Sequence, residues 1–460
     1  MKGISRVLIA NRGEIAARIL RTCRDLGIES VVAVSEADQD SLPAKIGDRA
    51  VCIGPPEPVR SYLQVGTIIS AALGTGSDAV HPGYGFLAEQ PELAEACADN
   101  GLIFVGPKPD NIRKMGDKLQ ARKMAEHLGV PIIPGSELVQ DSDQAMMIAE
   151  KVGYPVLLKA AAGGGGKGMK IVTHPGVLKD IFEEASAEAR GAFGDDRLYI
   201  EHRIPNARHI EIQIIGDRFG NMVHLFERDC SLQRRYQKMV EEAPSPVVSP
   251  ELRKKMCEAA ISIAKHINYE NAGTVEFILD QDQGRFYFLE MNTRIQVEHP
   301  VTELITGVDL VEEQFRVAAR DSLSLSQEEI KLSGHSIECR INAEQPEAEF
   351  RPCPGMITAW NPPEGAGVRV DSHCFPGYFV PPYYDSLLAK VITVGGDRSK
   401  AIERMQNALA DFTVAGVDTT IAFHRFMLKN PDFLDGRINT TWLEDILLKE
   451  FGKNEGNQIR

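Results

Sequence analysis

The run Glu290-Met291-Asn292-Thr293-Arg294-Ile295-Gln296-Val297-Glu298-His299-Pro300 constrains this chain more than any other stretch. Alternate side chains of a β-strand project to one face. Read as a strand, the run places Glu290, Asn292, Arg294, Gln296 and Glu298 on one surface, with Met291, Thr293, Ile295 and Val297 packing on the other. Phe286-Tyr287-Phe288-Leu289 upstream reads as a buried strand leading in. Carboxylates, amides and a guanidinium converging from a buried strand are costly unless they bind something charged. The alternative is the solvated face of an edge strand.

The 460 residues exceed what one core supports, and about two to four domains are expected. A net charge of −14 disfavours nucleic acid and anionic membranes as partners, so any anion site must be built locally from selected cations and backbone N–H groups. No segment approaches ~20 continuous apolar residues, and Met1–Arg6 runs into a strand without a signal-peptide pattern. A cytoplasmic protein with no membrane span is expected. The eight cysteines form neither a CxxC pair nor a Cys/His cluster, which supports neither a zinc site nor a disulfide framework. Reduced thiols fit a cytoplasm, and Cys230 reads as buried packing.

Residues 6–110 alternate strands (Val7–Ala10, Val31–Val34, Ala79-Val80, Ile103–Val105) with amphipathic stretches, among them Ile15 to Leu26 with Gly27 as a stop. This βαβ pattern predicts a parallel open sheet. The Asn11-Arg12-Gly13-Glu14 turn does not match GxGxxG. A helix at about 117–128 ends at Gly129, and Pro131 and Pro134 mark a boundary. A small segment at about 135–204 holds strands Val156–Ala160, Met169–Val172 and Leu198–Glu201 and a helix near 177–190. Residues 208–300 read as strand-rich, with Ile210-Glu211-Ile212-Gln213-Ile214 alternating and a helix at 251–267. Strands and turns recur from Ser336, a late helix spans about 399–410, and Lys453 to Arg460 read as a frayed tail.

Ala162-Gly163-Gly164-Gly165-Gly166-Lys167-Gly168 lies between two strands. Its N–H groups can cradle phosphate oxygens, but it lacks the GK[ST] ending of a Walker A loop; a bare hairpin tip is the other reading. Lys159, ending an apolar strand, is either a snorkelling side chain or a phosphate ligand. Glu276, in the strand Gly273–Leu279, joins Glu290 and Asn292 as two carboxylates and an amide on adjacent strands. Such hard oxygen donors suit Mg²⁺ shared with nucleotide phosphates. Residues 224–240 are dense in polar groups and admit a solvated loop as well as a site. His81-Pro82-Gly83-Tyr84-Gly85-Phe86-Leu87 follows a parallel strand, where α/β ligands gather. Arg340 adds a cation to an apolar strand.

Over nearly its whole length the chain resembles the biotin carboxylases, the ATP-grasp components of biotin-dependent carboxylases. The motifs are IANRGEIA, HPGYGFL, MGDK, the glycine loop, the RDCS and QRR segment, EEAP, EMNTRIQVEHPVTE and ECRINAE, in the family's order. The resemblance implies a mixed α/β and α+β fold: a Rossmann-like parallel-sheet domain (1–115), an ATP-grasp domain (116–334) whose mobile glycine-loop lid spans about 135–204, and a C-terminal mixed domain (335–450). It implies ATP-dependent carboxylation of biotin by bicarbonate through carboxyphosphate, most similar to the component of acetyl-CoA carboxylase. Pyruvate, propionyl-CoA and 2-oxoglutarate carboxylases use the same component. Implied cofactors are ATP, Mg²⁺ (or Mn²⁺) and biotin carried on another chain.

By motif match, Lys118, Lys159, Gly165, Gly166, Glu201, His202, Arg203, Ile204, His209, Gln233 and Tyr236 contact ATP, and Glu276, Glu290 and Asn292 hold the metal. Lys238, Arg294, Gln296 and Val297 bind bicarbonate, Glu298 is its base, Arg340 stabilises the biotin enolate and Tyr84 contacts biotin. The chain departs from the family at Tyr236, where many members have His, and at Ala161-Ala162, with one glycine fewer in the loop. At the family's dimer surface Arg18, Arg21 and Arg369 are kept, but Asp25 and Ala366 are shorter than usual, so a homodimer is expected with a weakened contact. No lysine stands in an Ala-Met-Lys-Met setting and the chain ends about where the catalytic component does. A separate biotin carboxyl carrier protein and separate carboxyltransferase subunits are therefore expected. Another ATP-grasp ligase explains the glycine loop and metal carboxylates but not the Arg294, Glu298 and Arg340 set, and a nucleotide-sensing regulator without turnover has no use for it.

Overall fold

Short apolar runs flanked by helices build the first sheet. The computed structural model describes residues 3–161 and 168–451; Gly165, Gly166 and the tail from Lys453 lie outside them. Strands Arg49–Cys52, Glu29–Val34, Arg6–Ile9, Ala79–His81 and Ile103–Phe104 lie side by side in that order, all parallel. The inner three are almost wholly buried, as expected when helices cover both faces. Chain order reverses between Arg6–Ile9 and Ala79–His81, which opens a crevice at their carboxyl ends. Asn11 bridges that crevice, its Nδ2 donating to the carbonyls of Pro82 and Tyr84 at 2.7 Å each. The helix Gly13–Leu26 leaves the crevice and stops at Gly27, whose φ of 67° is the left-handed cap that glycine adopts without a Cβ clash.

A second, four-stranded antiparallel sheet runs Gly135–Val139, Leu198–His202, Val156–Ala160, Met169–Val172. Helices Ser142–Val152 and Leu178–Phe193 close a small core of its own against it, through Ala145, Ala149, Leu158, Phe182 and Ile200. Sequence reading missed the strand Gly135–Val139 and the helix Ser142–Val152. The third sheet has eight antiparallel strands, in the order Arg285–Asn292, Asn271–Asp280, Ala207–Gly216, Met222–Arg234, Gln237–Ala243, His335–Asn342, Leu387–Gly395, Val368–Ser372. Its ladder continues from Val240 to Cys339, across the boundary expected at 334/335. Among the described residues, no helix is long and apolar enough to cross a membrane. All eight cysteines are free.

Two readings need correction. The alternating run is a strand only as far as Asn292; residues 293–298 turn away, and His299–Thr306 is a helix with Pro300 in its first turn. Proline has no N–H to give a sheet ladder but fits a helix start, where that group has no intrahelical partner. The lead-in is also not a buried strand. Arg285–Asn292 is the edge of the eight-stranded sheet, and only Phe288 and Met291 in it are fully buried. The edge is partly covered, since the Phe288 N–H donates to the Pro131 carbonyl at 2.7 Å.

The polar density at 224–240 is likewise no solvated loop. Strands Met222–Arg234 and Gln237–Ala243 form a hairpin, buried from Glu227 through Gln233. Its two-residue turn has φ of 48° at Arg235 and 65° at Tyr236, the left-handed pair that matches strand twist in a tight hairpin.

The strand carrying Glu276 is anchored from its other face. Phe277 is fully buried and meets Phe286 edge-to-face at 5.3 Å and Phe288 at 6.4 Å. Phe277→Ala should therefore cost about 3–5 kcal/mol, read as a lower thermal midpoint. A loss under about 1 kcal/mol would show that this aromatic cluster does not hold the strand.

Candidate active site

One cleft of about 1270 Å³ opens where the three sheets meet. The crevice of the parallel sheet supplies Asn11, Glu14 and Tyr84, the four-stranded sheet supplies Lys159, and the eight-stranded sheet supplies Glu276, Glu290 and Arg340. Lys118, His202, Arg203, Ile204, His209, Gln233, Tyr236, Lys238, Asn292, Arg294, Gln296, Val297 and Glu298 also line it. Gly165 and Gly166 lie outside the described residues. Glu201 is buried beneath the cleft, its carboxylate taken by Lys159 and Arg122. Those two cations outweigh burial and hold the Glu201 carboxyl below its ordinary value.

Sheet register explains the charge pattern. Glu290 stands directly opposite Glu276, Glu276 opposite Glu211, and Glu211 opposite Arg228. Like charges directly opposite one another repel, so three carboxylates abreast need cations. Lys238 supplies the central one, reaching from the neighbouring hairpin. Its ammonium donates to Glu298 Oε1 at 2.7 Å, Glu211 Oε2 at 2.6 Å and Glu276 Oε1 at 3.1 Å. Arg228, fully buried, takes the other Glu211 oxygen at 2.5 Å, and His209 Nε2 lies 2.8 Å from Glu276 Oε2. Lys118 pairs with Glu290 at 2.7 Å.

The turn after the edge strand adds a second cluster. Arg294 Nε donates to Glu89 Oε2 at 2.7 Å and Nη1 to Gln296 Oε1 at 2.6 Å, while Gln296 Nε2 donates to Glu276 Oε1 at 3.1 Å. Arg340 donates from Nε to Glu241 Oε1 at 2.7 Å and from Nη2 to Glu298 Oε2 at 2.9 Å. Glu298 itself is wholly buried. Burial alone would push its carboxyl up, but Lys238, Arg340 and Arg228 together hold it well below the ordinary range. The same carboxylates raise the Lys238 ammonium well above its usual value against the opposing effect of burial. Burial pushes Glu241 up to about 7, with Arg340 opposing and Glu298 adding to the shift.

Glu276, Glu290 and Asn292 sit on two adjacent strands and face the cleft, and this donor set of hard oxygens fits a divalent cation shared with phosphates. Among the described residues, donor atoms lie within 4.8 Å of one another in two groups, His209, Glu211 and Glu276, and Glu211, Cys230 and Glu298. Glu290 is turned instead toward Lys118. Towards the four-stranded sheet the wall becomes apolar, with Leu157, Met169, Ile204, Ile278 and Leu289. That slot suits a flat heterocycle beside a cationic, anion-accepting end.

Several groups that pair with cleft residues were given no role in the sequence reading. Glu211 was visible, as a charge at an every-second position of a strand that is buried throughout. Glu89, which takes both Arg294 and the Thr293 N–H, carries no local signal. Arg228 and Glu241 are named in no role by motif alone, yet each holds a residue of the site.

Family models match in sequence order. Residues 3–112 fit the biotin carboxylase N-terminal domain, 117–326 the ATP-binding domain of the carbamoyl-phosphate synthase L chain, and 338–445 the biotin carboxylase C-terminal domain. A biotin carboxylase of Nostoc sp. is 51% identical over 442 residues, covering 96% of this chain and 99% of that protein. A pyruvate carboxylase component from Methanothermobacter thermautotrophicus is also 51% identical, over 96% and 90%. The biotin carboxylase domain dimer of Hydrogenobacter thermophilus 2-oxoglutarate carboxylase, solved with MgADP, ADP and bicarbonate, superposes with a TM-score of 0.93 at 46% identity, over 97% and 98%. With matching models along the chain and relatives of this identity at nearly full length, the chain belongs to the biotin carboxylase family of ATP-dependent ligases.

Proposed function

We propose that this protein uses ATP and bicarbonate to carboxylate biotin borne on a separate carrier protein, as the first half-reaction of acetyl-CoA carboxylase. The observation that carries this reading is the Lys238 cluster: a buried carboxylate, Glu298, shared between Lys238 and Arg340, lining a nucleotide-sized cleft together with Arg294 and Gln296. In this reading residues 1–115, 116–334 and 335–450 act as three domains, with 135–204 closing over the nucleotide.

Lys118, Lys159, His209 and Gln233 receive the nucleotide, with Gly165 and Gly166 of the glycine loop and the strand end from Glu201 to Ile204, and Tyr236 stands beside it. A Mg²⁺ bound by Glu276, Glu290 and Asn292 supplies charge neutralisation for phosphoryl transfer. Arg294 holds bicarbonate with its planar fork, helped by Gln296, Val297 and Lys238. Glu298 takes the bicarbonate proton as a bicarbonate oxygen bonds to the γ-phosphorus and ADP leaves. At neutral pH Glu298 is ionised, so it can accept that proton, but its pairing with Lys238 and Arg340 makes it a weak base. An incoming anion competes for those cations, loosens their hold and raises the basicity of Glu298. The carboxyphosphate then yields CO₂ and phosphate. The released phosphate takes the biotin N1′ proton and N1′ attacks the CO₂ carbon, with Arg340 facing the developing enolate oxygen and Tyr84 contacting the ring.

Acetyl-CoA as final acceptor places the protein in fatty acid biosynthesis, in the cytoplasm, as a homodimer working with carboxyltransferase subunits. Equal identity to a pyruvate carboxylase component supports a second reading in which the acceptor is pyruvate. Carboxyltransferase subunits recovered with the protein from its source decide between the two.

Glu298→Gln should keep fold and nucleotide affinity while lowering bicarbonate-dependent ATP cleavage by about 10²–10⁴-fold; steady-state turnover near that of the parent would reject the base assignment. Co-expressed with a biotin ligase, the purified chain should give no signal on a streptavidin blot. A biotinylated lysine within it would overturn the separate-carrier reading.

A further inference from the structure

Lys390 is a lysine with no exposure to solvent, in the middle of the strand Leu387–Gly395. Register sets it directly opposite Arg340 on one neighbouring strand and Asp371 on the other. Residues directly opposite share a sheet face, so the ammonium enters the same side of the sheet as Arg340. Burying a lysine is costly unless its charge is matched, and here each contact leads to a different part of the cleft. Nζ donates to the Val297 carbonyl at 2.9 Å. It lies 3.0 Å from Glu14 Oε2, an ion pair rather than a directed hydrogen bond, and 3.8 Å from Asp371 Oδ2. Asp371 is already engaged by Arg369, so its bond to Lys390 is the weakest of the three.

The two short contacts act on catalytic geometry. The Val297 carbonyl belongs to the peptide that carries the Glu298 N–H, so pinning it fixes the plane from which Glu298 departs at the start of the helix His299–Thr306. Glu14 stands in the first turn of the helix Gly13–Leu26, and its other oxygen accepts the Tyr84 hydroxyl proton. One buried cation thus joins the turn holding Gln296, Val297 and Glu298 to the loop holding Tyr84. Neither loop is tied to the other by a strand pairing. Burial, with Asp371, pushes the Glu14 carboxyl up, and Lys390 and the Tyr84 hydroxyl oppose that rise.

We infer that Lys390 is a positioning residue for both substrates, setting the bicarbonate turn through the Val297 carbonyl and the biotin contact through Glu14 and Tyr84. This rests on the biotin carboxylase reading proposed above.

Lys390→Met keeps side-chain length and removes the charge. It should lower kcat/KM for bicarbonate and for free biotin by about 10²-fold, the effect of a misplaced reacting group, while KM for ATP stays within about two-fold. A purely structural lysine would instead lower the yield or thermal midpoint and leave these constants unchanged per folded enzyme, which would overturn the inference. Glu14→Gln, nearly isosteric, cuts one arm alone: KM for biotin should rise while KM for bicarbonate holds. If Lys390→Met does not fold, Glu14→Gln carries the test, and an unchanged biotin KM in it overturns the proposal. Parent enzyme that cleaves ATP without need of bicarbonate would fail the functional reading itself, an outcome separate from either variant result.

Discussion

Lys238 holds three buried carboxylates at once, and the cleft is organised around that arrangement. Glu290, Glu276 and Glu211 stand abreast on adjacent strands because the sheet register puts them there. Their mutual repulsion in a low-dielectric wall is offset by Lys238, Arg228, His209 and Lys118, each from a different stretch of chain. Removing one partner of a buried pair typically costs about 3–5 kcal/mol, because the other charge is left uncompensated. Such a cluster is a weak source of stability and a good preorganised field. Its carboxylates are paired in the resting protein, and in the proposed mechanism phosphate and bicarbonate anions enter by competing for its cations.

That competition gives the site its logic. In the proposed mechanism, Glu298 is a weak base while Lys238 and Arg340 both hold it, and becomes a better one as an anion draws them away. Arg340 has its own counterweight in Glu241, so its guanidinium stays in place when Glu298 is released. The scaffold around the cluster is stiff where this matters: an aromatic core lies behind Glu276, and the eight-stranded sheet joins Glu276 to Arg340 through one continuous hydrogen-bonded ladder. The four-stranded sheet has a separate core, which lets it carry Lys159 as a unit of its own.

Much of this was legible in the sequence, and the exceptions have physical causes. Long periodic helices were placed within a residue or two: Pro250–His266 and Arg398–Asp411 follow their apolar spacing closely. The strand Arg49–Cys52 was invisible because it is an exposed edge without an apolar face, and the helix Ser142–Val152 because apolar residues such as Met147 face solvent and blur its period. The polar run from Glu290 pointed to the cleft for a partly wrong reason. Its side chains converge because the chain turns after Asn292, not because a strand continues. Motifs named residues that line the cleft, but the groups holding them lie far away in sequence. Glu89 is more than two hundred positions from Arg294, and no local pattern links such pairs. Lys390 shared the signature that marked Lys159, a charge inside an apolar strand, and only the fold shows what it touches.

Isotope-labelled bicarbonate tests the central claim most directly. Purified protein given MgATP, labelled bicarbonate and free biotin should form acid-labile carboxybiotin, with label fixed in step with ADP release and neither product formed at a comparable rate when bicarbonate is withheld. ATP cleavage that proceeds equally without bicarbonate, or that never places label on biotin, would contradict the account.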